Sequence, residues 1–284
     1  MNGSTRRTVL LLLTAAWLAA VCPAYAAWPA VPPPLPAPTG TVVNVDSERA
    51  LQQAVADVRS NTTIVIRPGV YKLTKTIGFR GPLTDVCLRG ATNNRDDVVL
   101  VGPGRDDRGK AAPYGIWAGG PIQRLTIANL TVREFSQQPI IINPPVSAPR
   151  IYNVRLVNGG QQLLKVNKLP DGAAVNDGTV EYSLLEYEPA ARDWYSNAID
   201  IHGGSRWVIR NNLIRNVRPA GGELGGPAVL VWNSASGTIV EGNTFVNCQR
   251  DVSFGLIERK PYDHEGGVIR NNFIVRDRSV EGDV

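Results

Sequence analysis

Three stretches of this chain repeat one pattern: Trp207-Val-Ile-Arg-Asn-Asn-Leu-Ile214, Thr238-Ile-Val-Glu-Gly-Asn-Thr-Phe245 and Gly267-Val-Ile-Arg-Asn-Asn-Phe-Ile274. Their second polar positions, Asn212, Asn243 and Asn272, lie 31 and 29 residues apart. The pattern extends backward through Asn129, Asn153 and Ser183, each set between short runs of Leu or β-branched residues, the composition of strands. A short β-rich unit recurring at such a period indicates a solenoid. A β-sandwich of similar strands is the competing architecture, but nothing in it demands that five Asn and one Ser fall in one column.

Asn tolerates the left-handed backbone of a tight bend, and its amide bonds to backbone or to a neighbouring amide. Stacked at one bend of successive coils, the column forms a ladder. A second strand follows each member: Pro139–Asn143, Gln162–Asn167, Asn197–His202, Pro227–Trp232 and Asp251–Leu256. The fold class expected is therefore all-β, a single-stranded parallel β-helix. At its start, Val42–Val45, a helix over Ser47–Arg59 and a strand over Thr63–Lys72 form a cap, with Ser47 as N-cap and Leu51, Val55 and Val58 on one helix face. With these features, the chain resembles the right-handed β-helix proteins of the pectin-lyase-like group over about residues 41–284, which implies an all-β, single-stranded right-handed parallel β-helix.

Arg6 and Arg7, the apolar run Val9–Ala20 and Ala24-Tyr-Ala26 read as a signal peptide over 1–26, which implies a secreted or periplasmic protein with no membrane contact after cleavage. Residues 27–40 read as a Pro-rich linker with little capacity to pack. Residues 41–284 form the β-helix domain. It stops soon after Asn272 with no closing segment, so the domain is expected to be incomplete or uncapped, with another chain as a candidate cover for its last coil. Cys87 and Cys248, far apart in coil order, are expected to be buried free thiols. No Cys/His spacing suggests zinc, and no nucleic-acid-binding motif is present. The formal charge of +5 becomes +3 without Arg6 and Arg7, a mild basicity that suits an acidic polysaccharide.

A β-helix has no deep core pocket, so its site is expected on one sheet, between loops. Three insertions are long enough to be walls: Asn167–Gly178, Glu186–Asn197 and Leu256–Gly266. In Ala198-Ile-Asp-Ile-His202, alternation turns Ile199 and Ile201 inward and Asp200 and His202 outward. Aligning the coils sets Lys165 beside Asp200, and His202 beside Trp232, as one exposed cluster. Lysis or epimerisation of a uronate requires a neutralised carboxylate, a base for the acidic proton beside it and stabilisation of the developing enolate. Lys165, Asp200, His202 and Arg192 are the catalytic candidates. Trp232, Tyr195, Arg259, Lys260 and His264 are the substrate-binding candidates, with His264 expected on the edge of His202, about 10 Å away.

The segment from Ala198 to Arg206 also resembles the Asp-Pro-His-Asp segment of β-helix mannuronan C5-epimerases. Asp200 and His202 match it, while Ile201 and Gly203 replace its Pro and second Asp. The β-helix alginate and chondroitin lyases use a Lys/Arg pair, often with calcium, and that resemblance implies Lys165 and Arg192 in those parts. Glu186, Glu188 and Asp193 would be the oxygen ligands if calcium were held; the residues commit to no metal. The reading favoured is a polysaccharide lyase cleaving an acidic, uronate-containing glycan by β-elimination. The alternatives are a uronate C5-epimerase and a non-enzymatic glycan-binding or structural solenoid.

Overall fold

A computed structural model describes residues 31–107, 109 and 111–277. The signal-peptide reading falls outside these residues. From Thr41–Val45 to Phe273–Val275 the chain winds as a parallel β-helix, and every strand pair among the described residues is parallel. One large sheet runs from Thr41–Val45 through Leu83–Gly90, Ile122–Phe135 and Arg150–Gly159 to Val268–Arg270. A second runs in the order Ile77–Arg80, Ile116–Gly119, Ile140–Ile142, Leu164–Val166, Ile199–His202, Val229–Trp232 and Val252–Phe254. Alternating residues of both sheets fill the interior, among them Leu88, Ile127, Ile151, Ile199 and Val229. The cap helix spans Glu48–Ala56. The Ser47 side chain accepts from the Ala50 N–H at 3.3 Å, and Leu51 and Val55 are buried.

The polar column forms a ladder, as expected. Asn153 Nδ2 donates to Asn129 Oδ1 at 2.9 Å, Asn212 Nδ2 to Asn243 Oδ1 at 2.9 Å and Asn243 Nδ2 to Asn272 Oδ1 at 3.0 Å. Ser183 joins through backbone: its N–H donates to Asn212 Oδ1 at 2.9 Å. The bend is placed differently from the expectation. Asn129 and Asn153 take positive φ, but in later coils the left-handed residue is one earlier: Tyr182, Asn211, Gly242 and Asn271. There the strand breaks in two, as in Val208–Arg210 and Leu213–Arg215. The residue at the break supplies the bend, and the next supplies the ladder amide. This division of labour explains the Asn-Asn and Gly-Asn doublets.

Arginines tie the outer face across coils. Arg150 and Arg210 flank the buried Glu181, and Arg270 pairs with Glu241 at 2.7 Å. Residues 32–39, expected to pack little, lie against the large sheet: Pro33 O accepts from Tyr152 Oη at 2.5 Å, and Pro36 O from Arg89 at 3.2 Å. Proline carbonyls remain free to accept even where the residue cannot donate. In the last described coil, Val268–Arg270 and Phe273–Val275 pair with the preceding coil, and Ile269 and Ile274 are exposed. Cys87 and Cys248 are free thiols; burial pushes the first up to about 11 and the second to about 12. No helix among the described residues is long and apolar enough to cross a membrane.

Candidate functional site

The outer face of the second sheet carries the site, in the register expected. Lys165 pairs with Asp200 and Asp200 with Leu230, while His202 pairs with Trp232. Their spacing follows from the coil repeat, about 4.8 Å per strand. Lys165 Nζ bonds Asp200 Oδ2 and lies 2.7 Å from His202 Nε2. His202 Nε2 is also 3.3 Å from Asp200 Oδ1, and that oxygen accepts from Trp232 Nε1 at 3.0 Å. The His202 and Trp232 rings meet edge to face, with centroids 4.7 Å apart.

The cluster is not exposed as a whole, which corrects the expectation. Asp200 is 2 % exposed and Lys165 7 %, whereas the His202 side chain is 19 % exposed. Alternation specifies the face on which a side chain stands, not what roofs it. Here Trp232 and His202 lean across from the neighbouring column. Burial alone would raise the Asp200 pKa, but the His202 hydrogen bond and the Lys165 charge outweigh it and hold the carboxyl below its usual range. A buried carboxylate needs one compensating positive charge. Lys165 Nζ and His202 Nε2, 2.7 Å apart, both face that carboxylate. Of the three side chains, His202 is the most open to a ligand.

Parallel strands send their preceding and following loops to opposite edges, which gives the face two walls. Residues 187–197 precede the Ile199 strand. There Arg192 turns to Asp193 at 3.1 Å and to the Arg105 carbonyl at 3.4 Å, and exposed Tyr195 packs on Trp194. Arg192 forms no contact with Asp200 or His202 among the described residues. The other wall holds 167–178 and 256–263. Arg259 pairs with Asp263 at 3.0 Å, and Lys260 is exposed. The cleft beside it, about 640 Å³, is lined by Ser253, Gly255, Arg259 and Tyr262. His264 departs from the expectation. It aligns with buried Ala235 and stacks on Phe254 at 4.1 Å, and Phe254 pairs with inward-facing Val231. It is half-buried, lines the cleft beside Arg259 together with Phe254, and forms no hydrogen bond with His202 among the described residues.

Glu186, Glu188 and Asp193 do not fit a calcium ion. Glu186 is fully buried between Arg155 and Arg215, Glu188 pairs with Arg155 at 2.8 Å, and Asp193 with Arg192. Guanidinium groups already occupy the oxygens a cation would need.

Three residues of the site escape sequence reasoning. Asn233 Nδ2 lies 3.2 Å from His202 Nδ1 and fixes the ring. Asp263 accepts from the N–H groups of Asn233, Leu256 and Ile257 at 2.7, 2.7 and 3.0 Å, which ties the 256–263 loop to Asn233. The stem of Lys168 lies over Gly203, the residue after His202, and its Nζ donates to the Asn233 carbonyl at 3.2 Å. The adjacency of Asn233 to Trp232 was the one available signal.

No protein-family model matches the chain, and no curated protein matches it. Among solved structures, an alginate lyase from Paenibacillus sp. str. FPU-7 aligns with a TM-score of 0.52 at 11% identity, covering 82% of this chain and 95% of that one. The chain has the fold of the β-helix lyases. A pectate lyase from Bacillus sp. N165, in complex with trigalacturonate, aligns at TM-score 0.49 and 12% identity, covering 86% of each chain. A surface adhesin of Streptococcus pneumoniae aligns at TM-score 0.49 and 11% identity, covering 86% of this chain and 82% of that one. At such identity the likeness shows the fold alone, and function rests on the site itself.

Proposed function

We propose that this β-helix protein is a polysaccharide lyase that cleaves an acidic, uronate-containing glycan by β-elimination on the second sheet. The observation that carries the reading is the placement of His202 Nε2 2.7 Å from Lys165 Nζ, over the buried Asp200 carboxylate, on a walled sheet face. The elimination breaks the C5–H bond of the uronate. That electron pair becomes the C4–C5 double bond, the C4–O bond breaks, and the departing glycosidic oxygen takes a proton. His202 accepts the C5 proton, and the His202–Lys165 pair returns a proton to the departing oxygen. Asp200 bonds Lys165 and faces His202, and Asn233 and Trp232 hold the geometry. Lys168, the cation next to Gly203, neutralises the substrate carboxylate and makes the C5 proton more acidic. General-base assistance of this kind is worth about 10²–10⁴-fold in rate.

The test is incubation of the purified protein with alginate, pectate and glycosaminoglycans while the absorbance of the unsaturated uronate is followed. A signal that is lost in His202→Ala is expected. Inverted C5 stereochemistry by NMR without chain cleavage would instead identify an epimerase, the reading favoured by Asp200-Ile-His202. Binding that survives Lys165→Ala and His202→Ala together, without turnover, would identify a glycan-binding solenoid.

A further inference from the structure

We propose that Arg80, seated on Trp117, is a second anion-recognition point that takes a uronate carboxylate of the same glycan far from the reacting ring. The inference rests on the reading of the second sheet as an acidic-glycan site. The register carries the geometry: Gly78 pairs with Trp117, Trp117 with Ile141, Ile141 with Lys165, and Lys165 with Asp200. Trp117 therefore stands on the outward column of the cluster, two strands before Lys165, about 10 Å away. Arg80 stands four strands before His202, about 19 Å along the face.

The arginines of this fold are mostly structural. Arg124 pairs with Asp85, Arg206 with Asp177, Arg210 with Glu181 and Arg270 with Glu241. Arg80 is exposed and forms no ion pair among the described residues. Its Cζ sits 4.6 Å from the centroid of the Trp117 ring. Stacking holds the guanidinium plane without using the N–H fork that binds a carboxylate in bidentate fashion. Two glycines make the arrangement possible. The Trp117 ring occupies the place of the Cβ missing from Gly119, so the indole lies down on the sheet. At Gly78, on the outward column beside Trp117, a Cβ would meet open space, which leaves room for a ligand. Between this shelf and the cluster, Asn167 Nδ2 donates to Asn143 Oδ1 at 2.8 Å, a polar floor for a chain running between them.

A short oligosaccharide bound at His202 cannot reach Arg80, whereas a long one can. The test compares affinities for oligo-uronate trimers and decamers by calorimetry in the His202→Gln background, which removes turnover. With Arg80→Gln, the decamer-to-trimer affinity ratio is expected to fall by about tenfold or more, the scale of one charged hydrogen-bonding contact. Arg80→Lys, which keeps the charge and loses the fork, is expected to fall between. Arg124→Gln, which removes a charge from the other sheet, is expected to leave the ratio unchanged. An unchanged ratio in Arg80→Gln, or an equal fall in Arg124→Gln, overturns the inference and leaves the His202 site standing. Failure of the parent protein to bind either oligomer overturns both.

Discussion

Replacing Asp200 by Asn isolates the electrostatics of the site. Asp200 is 2 % exposed and accepts from Lys165 and from Trp232 Nε1. The amide keeps the shape and removes the charge, so the Lys165 ammonium, 7 % exposed, loses its counter-ion. Removing one partner of a buried pair costs about 3–5 kcal/mol. For a domain of this size each kcal/mol is worth roughly 2–4 °C, so the melting temperature should fall by roughly 6–20 °C. The Lys165→Met, Asp200→Leu double variant removes both charges and should recover most of that loss, since replacing a whole buried pair is often neutral. The pH dependence has a definite sign. The folded pKa of Asp200 is held below its ordinary value of 3.8, so its contribution is complete above that pH and disappears as pH falls through the folded value. The gap between parent and Asp200→Asn should therefore close below about pH 3.8. Urea and thermal melts across pH provide the assay. A loss under about 1 kcal/mol at neutral pH, or additive single and double variants, would refute the view of Asp200 and Lys165 as one buried unit.

Asn243→Ala removes the acceptor of both the Asn212 N–H and the Asn212 side-chain amide, deep in the ladder, and should cost about 1–3 kcal/mol in urea denaturation. His264 is pushed below its ordinary 6.5 by burial, against a smaller opposing effect of Asp263, so the unfolded chain binds its proton first. Stability should consequently fall as pH drops below about 6.5, and His264→Phe should flatten that slope; an unchanged slope would show that another group causes it. Asn233→Gly, which tolerates the left-handed backbone at this position, frees the His202 ring without touching the cluster charges. It should lower kcat more than it raises KM, with the melting temperature nearly unchanged, and a purely structural Asn233 would shift only the melt.

The repeat made the lateral order of this fold legible because a solenoid has one rule for neighbours: equivalent positions stack. Once Asn153, Ser183 and Asn212 were in register, Lys165, Asp200 and Trp232 had to be adjacent, and they are. Depth was not legible, because period-two alternation separates the two faces of a sheet and says nothing of what covers the outer one. Lys165 and Asp200 face outward and are buried nonetheless, since Trp232 and His202 lean back over them. The bend was misassigned for a related reason. Asn serves both as left-handed residue and as ladder amide, and only the backbone separates Asn211 from Asn212 in these jobs.

Loop courses follow no period, and the 256–263 segment shows the physical reason. Its course is set by one carboxylate: Asp263 gathers the N–H groups of Asn233, Leu256 and Ile257 and the Arg259 side chain. Its carboxyl is held below the usual range, because these hydrogen bonds outweigh the effect of burial. That convergence turns the chain back to the coil, so His264 stacks on Phe254 at the inner end of the cleft, half-buried. No periodicity encodes such a knot. It nevertheless positions the catalytic candidate, for Asp263 fixes the Asn233 backbone, and Asn233 fixes His202. The coils thus supply the spacing of Lys165, Asp200 and His202, while a loop carboxylate two residue-contacts away sets the angle of the imidazole.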